Sequence, residues 1–172
     1  LKVSHNLYAS VLPALIGCQE GGISLEDGLR KQRELLRSLG VDVKSISFGG
    51  GAGGAISDYV TPRETVRLLL GMAQRSEWPI FREAMPKIGV DGTLVGILPI
   101  GSPAYAKISA KTGTLVSPDL LNKRWLLRSK ALAGVMTTAT GREVAFAIFM
   151  NTVPLPIGVG TDREGKLLAA IA

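Results

Sequence analysis

The stretch Ala-Lys-Thr-Gly-Thr-Leu at positions 110–115 decides how the chain is interpreted. It ends a segment, Tyr105 to Leu115, whose residues alternate as in a β-strand. Glycine is unfavourable inside a strand and often marks the close approach of another backbone. A lysine ammonium and two threonine hydroxyls beside it suit a strand that pairs with an extended peptide and binds its C-terminal carboxylate. Taken alone, however, residues 111–114 favour a simpler interpretation, a surface strand whose polar side chains face water.

Further strands follow on the C-terminal side. Residues Ala131 to Ala139 and Glu143 to Asn151 also alternate, and Thr140-Gly141-Arg142 between them suits a hairpin turn. The tail, Thr161 to Ala172, begins like a helix. The C-terminal half is therefore predicted to be a strand meander.

The N-terminal half carries helix signals instead. An apolar spacing follows Ser4-His5-Asn6, and Pro13 inside it should kink that helix or end it early. Ser24 to Asp27 resembles a capping box, and its leucine stripe stops at Gly40. Thr61-Pro62-Arg63-Glu64 is a strong helix start. Helices followed by a strand meander predict an α+β domain, with helices packed on an antiparallel sheet.

A glycine run between these halves matches the dinucleotide-binding fingerprint. Gly49, Gly51 and Gly54 satisfy G-x-G-x-x-G, but the next convincing helix starts only at Pro62, so no helix N-terminus would meet a pyrophosphate. No Gly-Lys-Ser/Thr follows, which excludes a P-loop. A flexible or tightly turning loop is the better interpretation, and nucleotide binding is a distant alternative.

Composition allows one folded domain of 172 residues. The formal charge of +6 would suit nucleic acid or a cell-wall polymer, but the basic residues are scattered, apart from a cluster at positions 123–130. We therefore interpret them as solvated surface and expect no nucleic acid. Cys18 is the sole cysteine, which excludes an internal disulfide; we expect no metal and no cofactor. No apolar run approaches the ~18 residues of a membrane span.

A second motif changes the interpretation of residues 111–114. Ser4-x-Asn6 heads the first helix, where Ser4 alone would be taken for an N-cap. S-x-x-K, S-D-N and K-T-G together mark penicillin-interacting serine enzymes. His5, the only histidine, is expected to be the variable middle residue of this motif rather than a catalytic base.

The sequence around both motifs resembles that of the D-alanyl-D-alanine carboxypeptidases and endopeptidases of peptidase family S13, which are penicillin-binding and β-lactamase-like. The order and approximate spacing of the similar segments hold from Leu1 to about Asn151. They are Ser4 to Ala9, Val60 to Arg63, Gly89 to Leu94, Ala110 to Leu115, Ala133 to Thr138, and Ala145-Phe146 with Asn151.

The chain also departs from the family pattern. No Ser-x-x-Lys occurs, so the nucleophile and its lysine would lie upstream of Leu1. Residues 50–55, Gly-Gly-Ala-Gly-Gly-Ala, replace Asp-Gly-Ser-Gly-Leu-Ser, and Pro13 is unusual in the first helix. The link from Val116 to Lys130 looks longer than usual. We therefore interpret residues 1–172 as the C-terminal part of a penicillin-binding domain whose N-terminal part is absent.

The resemblance implies a role for each site residue. Ser4 would assist proton transfer to the leaving amine, and Asn6 would hold the substrate amide. Lys111 would supply positive charge. Thr112 and Thr114 would bind the substrate carboxylate, with the backbone N–H of Thr114 as one oxyanion donor. Gly113 would let the substrate backbone lie close.

The implied function is a serine-type carboxypeptidase or endopeptidase that acts on peptidoglycan peptides ending in D-Ala-D-Ala. It would work through an acyl-enzyme, be inhibited by β-lactams, and reside in the periplasm or elsewhere outside the cytoplasm. The alternative is an inactive relative or fragment that serves as a cell-wall binding or scaffolding module. In either case a sheet edge and a helix face should be exposed, or covered by the missing N-terminal segment or a second chain.

Overall fold

The computed structural model describes residues 1–19 and 21–157. Within them lie four α-helices and three β-strands, which confirms the α+β class. The chain divides into two compact units. We call Val3–Pro79 the helical unit, and Leu1–Lys2 with Ile80–Ala172 the sheet unit. The helix predicted at Thr161 to Ala172 lies outside the described residues.

The first three helices begin where the sequence signals place them, whereas the fourth was not predicted. They are α1 (Asn6–Gln19), α2 (Leu25–Ser38), α3 (Pro62–Ala73) and α4 (Trp78–Ala84). The prediction that Pro13 could end the first helix early is wrong, because α1 continues to Gln19 with Pro13 buried inside it. None of the described helices is long and apolar enough to cross a membrane.

The predicted capping box of α2 is confirmed. The Ser24 hydroxyl accepts from the Asp27 N–H at 3.2 Å, and the Asp27 carboxylate accepts from the Ser24 N–H at 3.2 Å. The hydrogen bond with the Ser24 side chain is the main cause that lowers the pKa of Asp27. After α2, Gly40 takes a positive φ of 83°, which glycine adopts without steric cost.

The predicted start of α3 is also confirmed, but Glu64 does not form the second hydrogen bond of a capping box. Thr61 Oγ1 accepts from the Glu64 N–H at 3.2 Å, and Pro62 occupies the first turn. Instead of bonding the cap, the buried Glu64 carboxylate accepts from the Asp42 N–H at 2.7 Å and from Arg67 Nη1 at 2.9 Å. It therefore ties the preceding loop to α3.

Helices α1 and α2 touch backbone to backbone. A Cβ added at Gly28 would overlap the Pro13 carbonyl, and one at Gly17 would lie 2.8 Å from the Gly28 nitrogen. Both contacts are closer than real Cβ atoms allow. The two glycines therefore set the distance between these helices.

The sheet is antiparallel with the order β1-β2-β3. Its strands are β1 (Ile108–Asp119), β2 (Arg124–Thr137) and β3 (Glu143–Pro154). The predicted turn is confirmed, because the Thr138 N–H donates to the Arg142 carbonyl at 2.8 Å and Gly141 has a φ of 81°. The segment from Val116 to Lys130 is not a link. It extends β1 and β2 to the pair Asp119 and Arg124.

The core of the sheet unit lies on one face of this sheet. Its buried members are Ile88, Leu94, Ile108, Ala110 and Leu132. The segment before the sheet is fixed by backbone bonds to the start of β1: the Ile88 N–H donates to Ile108 at 2.9 Å, and the Ala110 N–H donates to Pro86 at 2.9 Å. Beyond Ala110, β1 forms an edge of the sheet among the described residues.

Candidate active site

The predicted carboxylate-binding residues occupy the middle of β1. Thr112 pairs with Leu132 and Thr114 pairs with Lys130 on β2. Because strand side chains alternate, Thr112 and Thr114 share the face that Ala110 gives to the core, and Lys111 and Gly113 belong to the other face. The strand interpretation of residues 111–114 is confirmed, and the two hydroxyls lie side by side.

The backbone of Thr112 and Thr114 points to the open edge of β1. The Ala110 N–H donates to Pro86, on the side away from β2. Since N–H groups alternate along a strand, those of Thr112 and Thr114 point to the same edge. An extended peptide or an oxyanion at this edge would therefore meet backbone donors that β2 does not use.

Lys111 brings its charge to the same edge. The half-buried side chain donates from Nζ to the Thr112 carbonyl oxygen at 2.5 Å, and this carbonyl belongs to the edge that pairs at Ile108. Desolvation by burial lowers the pKa of Lys111 below its ordinary value. The ammonium is thus a fixed positive charge at the strand edge, although the side chain starts on the opposite face from the threonines.

Gly113 has no packing reason to be glycine. A Cβ there would meet the Ala131 Cβ at 3.7 Å, an ordinary van der Waals contact, and the position is exposed. At Gly134, by contrast, a Cβ would overlap the Ser109 carbonyl. The fold therefore requires glycine at position 134. At position 113 it does not, so the open space there can accommodate a ligand that binds beside the strand.

Thr93 is a site residue that sequence analysis did not single out. Its Oγ1 lies 3.2 Å from Oγ1 of Thr112, within hydrogen-bond distance. Thr93 belongs to a 3-10 turn, Gly92–Leu94, in the segment Gly89 to Leu94 that resembles the S13 family. The resemblance to the S13 family was thus the only feature of the sequence that could have identified Thr93 as a site residue.

The loop that carries Thr93 is fastened at Asp91. Its carboxylate accepts from Lys2 Nζ at 2.6 Å and from the Lys87 N–H at 2.8 Å. The Lys2 hydrogen bond, followed by the Lys87 one, lowers the pKa of Asp91. Gly92 has a φ of 58°, and a Cβ there would lie 2.7 Å from the Lys2 carbonyl. The loop therefore holds Thr93 in a defined place against Thr112.

Lys130 holds the second threonine. Its Nζ donates to Thr114 Oγ1 at 2.8 Å, and the residue is only 7% exposed. The interpretation of the basic cluster as solvated surface is therefore wrong for Lys130. Lys130 meets Thr114 through the pairing of β1 with β2, which includes a register shift between Leu115 and Val116, so the turn at 120–123 alone would not align the two residues.

Ser4 and Asn6 lie together at the start of α1, in the helical unit. The cap is not Ser4: the His5 ring accepts from the Tyr8 N–H at 3.5 Å and stacks on the Tyr8 ring at 4.2 Å. Ser4 is exposed with a φ of 52°, an uncommon left-handed backbone, and its hydroxyl has no partner among the described residues of its own unit. Ser4 therefore does not cap α1, contrary to what the sequence alone would suggest.

The predicted residues accordingly form two groups. Ser4 and Asn6 belong to the helical unit, and Lys111 to Thr114 belong to the sheet unit. Among residues 1–19 and 21–157, no cluster of His, Cys, Asp and Glu could hold a metal ion. The arrangement in the sheet unit offers donors to an anionic, extended ligand.

Comparison with known proteins decides the family. The model of the D-Ala-D-Ala carboxypeptidase 3 (S13) family matches residues 1–166. The chain belongs to this family. It is 30% identical over 129 residues to the D-alanyl-D-alanine carboxypeptidase DacB of Haemophilus influenzae. That alignment covers 74% of this S13 chain and 25% of the relative, so the chain spans about a quarter of the relative's length.

Solved structures agree with this assignment. The S13 chain is similar to penicillin binding protein 4 (dacB) of Haemophilus influenzae, crystallised in complex with a novel β-lactam, at a TM-score of 0.78 and 26% identity. The match covers 99% of this chain and 39% of that one. A TLA-1 extended-spectrum β-lactamase matches at a TM-score of 0.55 and 21% identity, over 83% of this chain and 51% of that one. This second likeness shows the fold alone.

Proposed function

We propose that this chain is the substrate-holding part of a serine-type D-alanyl-D-alanine carboxypeptidase or endopeptidase. One observation carries the proposal: in an S13 family chain, the hydroxyls of Thr112 and Thr114 lie on one face of β1, each hydrogen-bonded to a partner, and the Lys111 ammonium bonds the Thr112 carbonyl at the open edge of the same strand. Such donors suit the carboxylate of an extended peptide. The substrates would be peptidoglycan stem peptides ending in D-Ala-D-Ala, and the enzyme would act outside the cytoplasm.

In this mechanism the peptide lies antiparallel along the open edge of β1. Its terminal carboxylate accepts from the Thr112 and Thr114 hydroxyls, and the Lys111 charge attracts it. The scissile carbonyl oxygen accepts from the Thr114 N–H, one of two oxyanion donors. Removing one such donor typically costs about 10²–10³ in rate. Gly113 leaves room for the substrate backbone.

The nucleophile would come from a Ser-x-x-Lys that this chain does not contain. That serine attacks the carbonyl between the two D-alanines while its lysine accepts the hydroxyl proton. The C–N bond breaks, and Ser4 passes a proton to the leaving amine of D-alanine. Asn6 holds the substrate amide. Water then cleaves the acyl-enzyme and restores the serine.

Covalent labelling tests the proposal. The full-length protein is incubated with a fluorescent penicillin, and labelling is read on a denaturing gel, with heat-denatured protein and excess unlabelled penicillin as controls. The expected result is a labelled band that both controls abolish. A full-length protein that contains Ser-x-x-Lys and stays unlabelled would refute the proposal.

The altered glycine loop favours a second candidate function. Residues 50–55 lack the aspartate and both serines of the usual family segment, as expected of a relative that binds cell wall without chemistry. A full-length protein without Ser-x-x-Lys that sediments with purified peptidoglycan and takes no penicillin label would favour this scaffolding module.

A further inference from the structure

Lys130 is a buried cation without an acidic partner. It is 7% exposed, and among the described residues its ammonium forms one hydrogen bond, to Thr114 Oγ1, and no ion pair. Burying a charge is costly unless it is paired and hydrogen-bonded. A well-packed apolar side chain would serve the sheet better, so folding does not explain a lysine here.

The direction of its hydrogen bond has a consequence for Thr114. An ammonium only donates, so Oγ1 of Thr114 is the acceptor, and the hydroxyl hydrogen must point elsewhere. The Thr114 hydroxyl is therefore available to donate to another acceptor, such as a ligand. The Lys130 ammonium also places a positive charge next to this hydroxyl. Thr112 differs, because its partner is the neutral Thr93 hydroxyl, and either oxygen of that pair can donate.

We infer that Lys130 is a specificity-determining residue that selects ligands with a free carboxylate over the same ligands with the carboxylate masked. This inference rests on the proposed function, and it assigns the selection to β2 as well as to β1. The ammonium and the oriented Thr114 hydroxyl attract an anion, whereas an ester or amide at the same place gains nothing from the charge. The Lys111 ammonium lies at the open edge of β1, whereas the Lys130 ammonium extends from β2 and contacts the Thr114 hydroxyl.

Acylation of the full-length protein by a penicillin and by its methyl ester tests the inference. Lys130→Met keeps the length of the side chain and removes the charge. Lys130→Arg keeps the charge, and Lys123→Met is a matched control at an exposed lysine of the same hairpin. Melting temperatures check that each variant folds.

We expect Lys130→Met to slow acylation by the free acid about tenfold or more, as for loss of a hydrogen bond to a charged group. The rate with the ester should stay unchanged, so the acid-to-ester ratio falls. Lys130→Arg should keep most of the ratio, and Lys123→Met all of it. If Lys130→Met does not fold, Lys130→Gln removes the charge but keeps a hydrogen-bond donor to Thr114, and it should lower the ratio likewise.

Two results would overturn the inference. Equal slowing of both compounds by Lys130→Met would make Lys130 a structural residue only, and unchanged rates with both compounds would leave it without a role in selection. In both cases the wild-type protein is acylated, so the proposed function stands. A wild-type protein that neither compound acylates refutes the proposed function, and the inference with it.

Discussion

Gly51 lies against the carbonyl oxygen of Ala9, and a Cβ at position 51 would overlap that oxygen. In α1 this carbonyl would normally bond the N–H of the residue four positions later, but that residue is Pro13, which has no N–H. The Gly51 Cα–H points at the oxygen instead, a weak hydrogen bond. The unusual proline and the altered glycine loop therefore form a single contact.

This contact predicts that Gly51→Ala destabilises the protein. The methyl group would collide with the Ala9 carbonyl and lie 3.0 Å from Pro13 Cγ, and such overpacking typically costs about 1–3 kcal/mol. Gly50→Ala is the matched control, because a Cβ there meets nothing within 4 Å. Urea unfolding of the full-length protein measures both. Equal stability of the two variants would contradict the close approach.

We expect Glu64 to contribute far more to the free energy of unfolding than an exposed glutamate does. Glu64→Ala removes a buried carboxylate that accepts from the Asp42 N–H and from Arg67 Nη1, and a hydrogen bond to a charged group typically contributes about 1.5–3 kcal/mol. Glu34→Ala removes only an exposed ion pair with Lys31 in α2, worth about 0.5 kcal/mol at most. Chemical denaturation of both variants gives the comparison, and similar losses would show that the Glu64 contact adds little.

The Thr93 hydroxyl should affect acylation without contributing much to the stability of the fold. Thr93→Val keeps the shape of the side chain but removes the hydrogen bond to Thr112, so acylation by penicillin should slow about two- to tenfold, as for a neutral hydrogen bond. Thr93→Ser keeps the hydroxyl and should restore the rate. An equal loss in both variants, or a large fall in melting temperature, would argue for a packing role instead.

Lys111 predicts a pH dependence with a defined sign. Burial lowers its pKa in the folded protein, so between this pKa and the ordinary value of 10.5 the unfolded chain binds more protons. Stability contributed by this group therefore rises with pH across that window. Activity that needs the ammonium should fall on the alkaline side, below pH 10.5.

The measurement compares wild type with Lys111→Met in urea titrations over an alkaline pH series. The stability of the wild type relative to the variant should increase as pH rises toward 10.5. A flat difference would show that folding does not perturb this lysine.

Local signals in the sequence predicted the local structure well. Ser24 with Asp27, and Thr61 with Pro62, each bond within one turn, so their spacing alone predicts a helix start. The strand character of residues 111–114 follows from alternation in the same way.

The contacts that sequence missed are long-range. Lys130 meets Thr114 only through the pairing of β1 with β2, which depends on a turn at 120–123 that has no strong signal and on a register shift between Leu115 and Val116. Periodicity cannot tell a buried lysine on a strand from a solvated one. Thr93 likewise reaches Thr112 through a loop fold that Lys2 helps to fix.

The apolar face of α1 supports a last prediction. Its exposed side chains are Leu7, Tyr8, Val11, Leu12, Leu15 and Ile16. Their spacing places them on one side of the helix, and Cys18, also exposed, falls on the same side. So large an apolar stripe is unusual on a protein surface. Since the chain spans about a quarter of its curated relative, we expect the remainder of the full-length protein to cover this face.

Thiol labelling of the full-length protein checks this coverage. Cys18 should react slowly with a maleimide in the native state and quickly after unfolding. The control is Ser38→Cys in a Cys18→Ser background, because Ser38 is exposed at the end of α2, away from the apolar stripe. That introduced thiol should react quickly in both states. Native-state labelling of Cys18 as fast as the control would mean that the stripe stays open to solvent, because a covering segment would shield the thiol together with its apolar neighbours.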